Sequence, residues 1–220
     1  YNGVSPDRIF VAHNAIALGN VTSRIEHYQK FSQLKEKIDG RKVIVFVGRL
    51  DPTKCVDDLL YAFKRMLKIH GNSILFIVGD GKQRGFLEKI AEKEDLSACC
   101  FEGARNINDV SEYLAFADIC VVPGEGGLVI NHALSHGVPV IVSTGDGTEF
   151  DLIKHGENGY FFKRHDIQDL SQKMIAALDS KTLKSYAERH KIDVPTVQQM
   201  LDVFNHVFSY TVNKNNRVLN

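Results

Sequence analysis

Two cations stand five positions apart in Gly48-Arg49-Leu50-Asp51-Pro52-Thr53-Lys54, directly after the apolar run Val43–Val47. A guanidinium offers a planar fork of donors and an ammonium a compact point charge, a pair suited to gripping a diphosphate. On spacing alone, two solvated surface cations fit the pattern as well. The run is not a P-loop, because GxxxxGK[ST] is absent. A second candidate is Pro123-Gly124-Glu125-Gly126-Gly127-Leu128, which leads from an apolar run into a helical pattern. Glycines there allow the backbone to approach a ligand. The helix that starts at the loop turns its free N–H groups and positive dipole end toward an anion. A tight turn with no ligand is the plainer alternative.

Two further turns have the same ambiguity. Phe101-Glu102-Gly103 and Gly79-Asp80-Gly81 each follow an apolar run. They read as strand-ending turns, or as a wall for a nucleobase and a floor for a sugar phosphate. His132 and His136, four apart, share a helix face. An HxxxH pair can hold zinc, but no third ligand is legible nearby and no metal site is expected. His132 is the histidine nearer the ligand edge. No Ser-His-Asp or Cys-His arrangement stands out.

These segments need a framework that brings them to one edge. Apolar runs at Val43–Val47, Ile74–Val78, Ala98–Phe101, Ile119–Val122 and Val138–Val142 read as buried strands. A weaker strand is expected at Tyr160–Phe162. Helical patterns lie between them: Val56 to Leu67, Phe86 to Ala91, Ile107 to Ala117, and Leu128 to Ser135. Repeated β-α-β units with right-handed crossovers give a Rossmann-like α/β fold, a parallel sheet with helices on both faces. Ligands of such sheets sit beyond the carboxyl ends of the strands, where the candidate loops fall. Before this core, Val4–Val11 reads as one short strand, and a polar, helical stretch runs on to Gly40. Residues 1–40 are expected to be a link from another domain, 41–180 the binding domain, and 181–220 C-terminal helices of about 10–15 residues.

Composition narrows the partners. The chain has 220 residues, enough for one sizeable core, with 27 Lys+Arg against 27 Asp+Glu. A zero net charge gives no footprint for nucleic acid. The four cysteines, Cys55, Cys99, Cys100 and Cys120, form no CxxC pair. They suit a reduced, cytoplasmic setting. No apolar run reaches the length of a spanning helix.

Taken in order, Val47–Lys54, Val78–Gly81, Phe101–Gly103, Pro123–Leu128, Ala133–Ile141 and Glu149 through His155-Gly156-Glu157-Asn158-Gly159-Tyr160-Phe161-Phe162 resemble the group 1 (family 4) retaining glycosyltransferases of the GT-B fold. The likeness covers roughly residues 41–180, and Val11-Ala12-His13-Asn14-Ala15-Ile16 resembles that family's link between its two domains. It implies that this chain is the C-terminal, donor-binding half, without its N-terminal acceptor domain and inactive alone. It implies donor diphosphate contacts from Arg49 and Lys54 after Gly48, and backbone phosphate contacts at Gly126, Gly127, Leu128 and Val129. It also implies a nucleobase-facing segment at Glu102-Gly103-Ala104, beside Gly79. The family's two glutamates, with seven residues between them, align with Gly124 and His132, leaving Glu125 one step off register as the acid nearest the transferred sugar. His132 then takes the ribose position.

The implied reaction moves a sugar from a UDP- or GDP-sugar to a glycan or lipid-linked acceptor with retention, in surface polysaccharide biosynthesis. It needs no metal and no cofactor beyond the donor. The full-length protein is expected in the cytoplasm, with peripheral attachment to the inner membrane face left open. Two other readings remain at this stage. An oxidoreductase would need GxGxxG after the first strand, which is absent. A non-catalytic nucleotide-sugar-binding module, or a sugar-nucleotide epimerase of the same fold, would retain the same loops.

Overall fold

The computed structural model describes residues 4–5, 8–12, 14–15, 32–144, 147–183, 185 and 196–218. Six parallel strands form one sheet: β1 (Lys42–Val47), β2 (Ser73–Val78), β3 (Cys99–Gly103), β4 (Ile119–Val122), β5 (Val140–Ser143) and β6 (Gly159–Phe162). Their order across the sheet is β3-β2-β1-β4-β5-β6. The helices are α1 (Ser32–Ile38), α2 (Val56–Leu67), α3 (Arg84–Lys93), α4 (Ile107–Phe116), α5 (Leu128–Ser135), α6 (Thr148–Leu152), α7 (Ile167–Asp179) and α8 (Val197–Val218). The expected α/β class, with a parallel sheet covered on both faces, is borne out.

Alternation along β1 explains the layering. Ile44 and Phe46 point into a core built with α2, α3 and α7, whereas Val43 and Val45 join one built with α1, α4 and α5. A strand covered on both faces has no polar side, hence its continuous apolar run. Because β2 and β3 lie on one side of β1 and β4 to β6 on the other, the strand order reverses between β1 and β4. A crevice opens at such a reversal, at the carboxyl ends of the two strands. The loop with Arg49 and Lys54 follows β1, and the glycine loop follows β4. Both therefore flank the one crevice.

Several expected details differ. Residues 4–5 and 8–12 form no strand; Pro6 and Asp7 lie outside the described residues. Apolar alternation makes a strand only where a sheet edge is free to pair, and here Phe10 packs edge-on against His206 and Tyr210 of α8. Val11 is left exposed. The link residues His13 and Ile16, and the polar stretch over 16–31, lie outside the described residues. Ile38, just before the expected core, is buried in it. Phe86 faces solvent rather than the sheet. The last helix runs 22 residues, longer than expected, and α6 was not anticipated. Among the described residues no helix is long and apolar enough to cross a membrane.

The carboxyl-end loops touch backbone to backbone. Gly48 N–H donates to the Val78 carbonyl at 3.0 Å, Leu50 N–H to Asp80 at 2.9 Å, and Gly79 N–H to Gly103 at 2.8 Å. Gly79 adopts φ +150°, and a Cβ there would stand 1.8 Å from the Gly48 carbonyl oxygen. Gly79 is thus fixed by chain packing before any ligand is considered. Gly79→Ala should lower stability by more than about 2 kcal/mol, combining the clash with the strained backbone. In contrast, a Cβ at Gly85 in α3 meets nothing within 4 Å. Gly85→Ala should be neutral or gain up to about 1 kcal/mol. Denaturant midpoints of the two variants check both signs.

Candidate functional site

The turn after β1 is a single 3-10 turn, Pro52–Lys54, that ends at Cys55 in the left-handed conformation. Proline at its start fixes φ, and the turn delivers Lys54 toward the glycine loop across the crevice. There the Lys54 ammonium donates to the Glu125 carbonyl at 2.7 Å and to the Gly126 carbonyl at 3.2 Å. In return, Glu125 N–H donates to the Thr53 carbonyl at 3.0 Å. The backbones approach so closely that a Cβ at Gly124 would lie 2.0 Å from the Thr53 oxygen. Ser143, at the end of β5, donates to the Gly124 carbonyl and supports the loop from below.

An ammonium has three N–H donors. Two are spent on the loop, so Lys54 both staples the glycine loop and retains one donor for a ligand. The alternative of a plain solvated cation therefore does not describe this residue. Arg49 does match it: its side chain is 84% exposed, with only a loose contact to Asp51 at 3.5 Å. The fork of Arg49 is available at the mouth of the crevice.

Gly127 (φ +111°) begins α5 with no side chain capping it. Its N-terminal turn therefore presents backbone donors at Leu128 and Val129 with no serine, threonine or acid to consume them. Ile130 N–H turns back to the Gly127 carbonyl. Gly126 is confined by the Ile130 side chain, 2.8 Å from where a Cβ would be. The Glu125 side chain is exposed.

Two of the sequence-derived contacts are otherwise engaged. The Glu102 carboxylate accepts from Lys37 at 2.9 Å and from the Tyr113 hydroxyl at 2.8 Å, with Arg105 at 3.5 Å. Burial works to raise its pKa, but the Lys37 and Tyr113 hydrogen bonds outweigh that and hold it below the ordinary carboxylate value. Its side chain ties α1 and α4 to β3, so any base contact in this segment falls to the backbone of Glu102, Gly103 and exposed Ala104. His132 is buried, and its Nε2 lies 2.9 Å from the Ser111 hydroxyl of α4. The imidazole sits edge-on to His136 at 5.0 Å. The residue beside it, Asn131, donates from its side-chain amide to the Asn14 carbonyl in the lead-in segment at 2.9 Å.

Sequence reading missed Arg164, on the turn after β6. Its guanidinium donates to the Thr53 carbonyl at 3.3 Å and to the Cys55 sulfur at 3.6 Å. It adds a third cation beside the loop after β1, and its position past the carboxyl end of a strand was the available signal. The expectation that no three-ligand set exists also needs correction. His132 and His136 do not gather one, but Cys55, Asp58 and His165 lie with their ligand atoms within 4.8 Å of one another.

The family model for "Glycosyl transferases group 1" matches residues 28–193. The chain is 34% identical over 125 residues to an uncharacterized glycosyltransferase of Methanocaldococcus jannaschii, which is 55% of this chain and 32% of that protein. It is 36% identical over 124 residues to the GDP-mannose-dependent alpha-mannosyltransferase of Mycobacterium tuberculosis, 55% of this chain and 30% of that protein. Each match spans about a third of the relative's length. Among solved structures, Anabaena HepE in complex with UDP superposes with a TM-score of 0.77 at 21% identity, covering 91% of this chain and 57% of that one. The last likeness is one of fold.

His132 gives the site a pH signature. Burial first, and the neighbouring His136 second, pull its pKa from 6.5 to about 4. Between those values the unfolded chain takes up a proton that the folded chain refuses. The associated stability is present in full above pH 6.5 and is lost as pH falls toward 4, up to about 3 kcal/mol. Tm should therefore fall over that window, and His132→Gln should flatten part of the fall. An unchanged slope in the variant would remove His132 from this account.

Proposed function

The chain belongs to the group 1 glycosyltransferases, and from that membership we propose that it is the donor-holding half of an enzyme that transfers a sugar from a nucleoside-diphosphate sugar to an acceptor, with retention at the anomeric carbon. One observation carries the reading. Two phosphate-suited loops, after β1 and β4, meet across the crevice where the strand order reverses, stitched by Lys54 to Glu125 and Gly126. The fold shared with a UDP-bound protein supports it.

In this reading the demanding event is departure of the diphosphate, on which negative charge grows. Arg49 would bind it with its fork, Lys54 with its remaining donor, and the Leu128 and Val129 N–H groups with the helix dipole behind them. Fixed donors of this kind are worth about 2.7–4 kcal/mol each where they meet developing charge. Glu125 stands beside the transferred sugar. His132, neutral and buried, orients α5 through Ser111 and reaches a ribose only if its ring leaves that hydroxyl. The acceptor and its selecting residues belong to a further domain.

A thermal-shift panel of UDP, GDP, ADP and NAD tests the reading. At 100 times its dissociation constant a nucleoside diphosphate should add about 2.7 kcal/mol of stability. Stabilisation by NAD alone would refute it. The two cations should then separate. Arg49→Ala should cost about tenfold or more in diphosphate affinity, with less effect on the monophosphate. Its free-protein stability should change by less than about 0.5 kcal/mol. Lys54→Ala should lose affinity as well, and also on the order of 1–2 kcal/mol of stability, because the glycine loop loses its staple. Equal melting temperatures for both variants would contradict the double role of Lys54.

A further inference from the structure

Cys55 differs from Cys99 and Cys120 in its surroundings. Cys120 and Cys99 are ordinary buried thiols, each pushed up to about 12 by burial. The Cys55 sulfur instead lies among polar groups, 3.7 Å from the Pro52 carbonyl, 3.8 Å from the Thr53 carbonyl and 3.6 Å from the Arg164 guanidinium. It is the N-cap residue of α2, and burial raises its thiol too, with the Arg164 guanidinium working the other way. Asp58, three residues on, is on the same face. His165, from the turn after β6, comes across so that its Nδ1 lies 2.9 Å from the Asp58 carboxylate.

We propose that Cys55, Asp58 and His165 form a binding site for a zinc-class divalent cation. The three ligand atoms lie within 4.8 Å of one another. A tetrahedral zinc ion would space a nitrogen and an oxygen ligand by about 3.3 Å, and a sulfur and a nitrogen by about 3.6 Å. The His165–Asp58 separation needs to open by only a few tenths of an ångström. The imidazole can supply that shift, since its side chain is 65% exposed.

The donor set selects the ion. Thiolate with imidazole favours zinc or a neighbouring transition metal, and disfavours magnesium and calcium, which want oxygen alone. On binding, the thiol proton passes to water, and the Nδ1 proton facing Asp58 gives way to the ion as His165 takes the Nε2–H tautomer; the thiolate and carboxylate then balance the ion's two charges. Three protein ligands leave a fourth position for water. The ion would tie the turn after β6 to the start of α2, directly behind Lys54, without joining the diphosphate contacts. The sequence conceals the set because His165 lies 107 positions from Asp58.

Cobalt(II), added alone to the intact protein, provides the test, because a thiolate ligand gives an intense sulfur-to-cobalt charge-transfer band. The band should appear, disappear on adding zinc, persist in Cys99→Ser, and be lost in Cys55→Ser. His165→Asn alters an exposed side chain and should leave the fold intact while weakening cobalt binding tenfold or more. Asp58→Asn should weaken it similarly. No band in the parent protein, or a band unaltered in His165→Asn, would overturn the proposal. So would loss of the band in Cys99→Ser with retention in Cys55→Ser.

Discussion

The carboxyl edge of this sheet depends on close approach between backbones. Glycine at 79, 81 and 124 removes side-chain atoms that would hold neighbouring loops apart, 1.8 Å from the Gly48 oxygen, 2.4 Å from the Leu50 oxygen and 2.0 Å from the Thr53 oxygen. With those atoms gone, main-chain donors and acceptors of separate loops pair directly, and Lys54 closes the remaining gap. The strand order supplies the crevice, but these contacts give it fixed walls. A side chain at any of these glycines would push the loops apart, and the cations would lose their common target.

That constraint also explains which parts of the molecule were legible in the sequence. The sheet was legible because strands covered on both faces must be apolar throughout, as Val43–Val47 and Ile74–Val78 are. The loops were legible because they follow those runs. Val4–Val11 misled for the converse reason. Its residues favour extended backbone, but pairing depends on a free edge elsewhere in the fold, and here Phe10 finds aromatic partners on α8 instead.

Side-chain roles were less legible, because they are decided by residues distant along the chain. Lys54 reads as a free cation until its partners, 71 and 72 positions away, are known. His132 and His136 announce a shared helix face, yet nothing local says that Ser111 of α4 lies against the first. Glu102 sits in a segment that resembles the family's nucleobase-facing one, and only the fold shows Lys37 and Tyr113 holding its carboxylate. Arg164 was overlooked because its strand, β6, is short and comes late in the chain.

The stapling of Lys54 to the glycine loop bears on entropy. A loop that folds around its ligand gives up conformational freedom at the moment of binding, and affinity suffers by that amount. Here the loops after β1 and β4 are tethered by three hydrogen bonds and by backbone contact before a ligand arrives. Most of their freedom is already gone when the chain folds, offset by burial throughout the core rather than by the bound molecule. Under the proposed function, an arriving diphosphate would meet walls that need little rearrangement, and its contacts would count almost fully toward holding it.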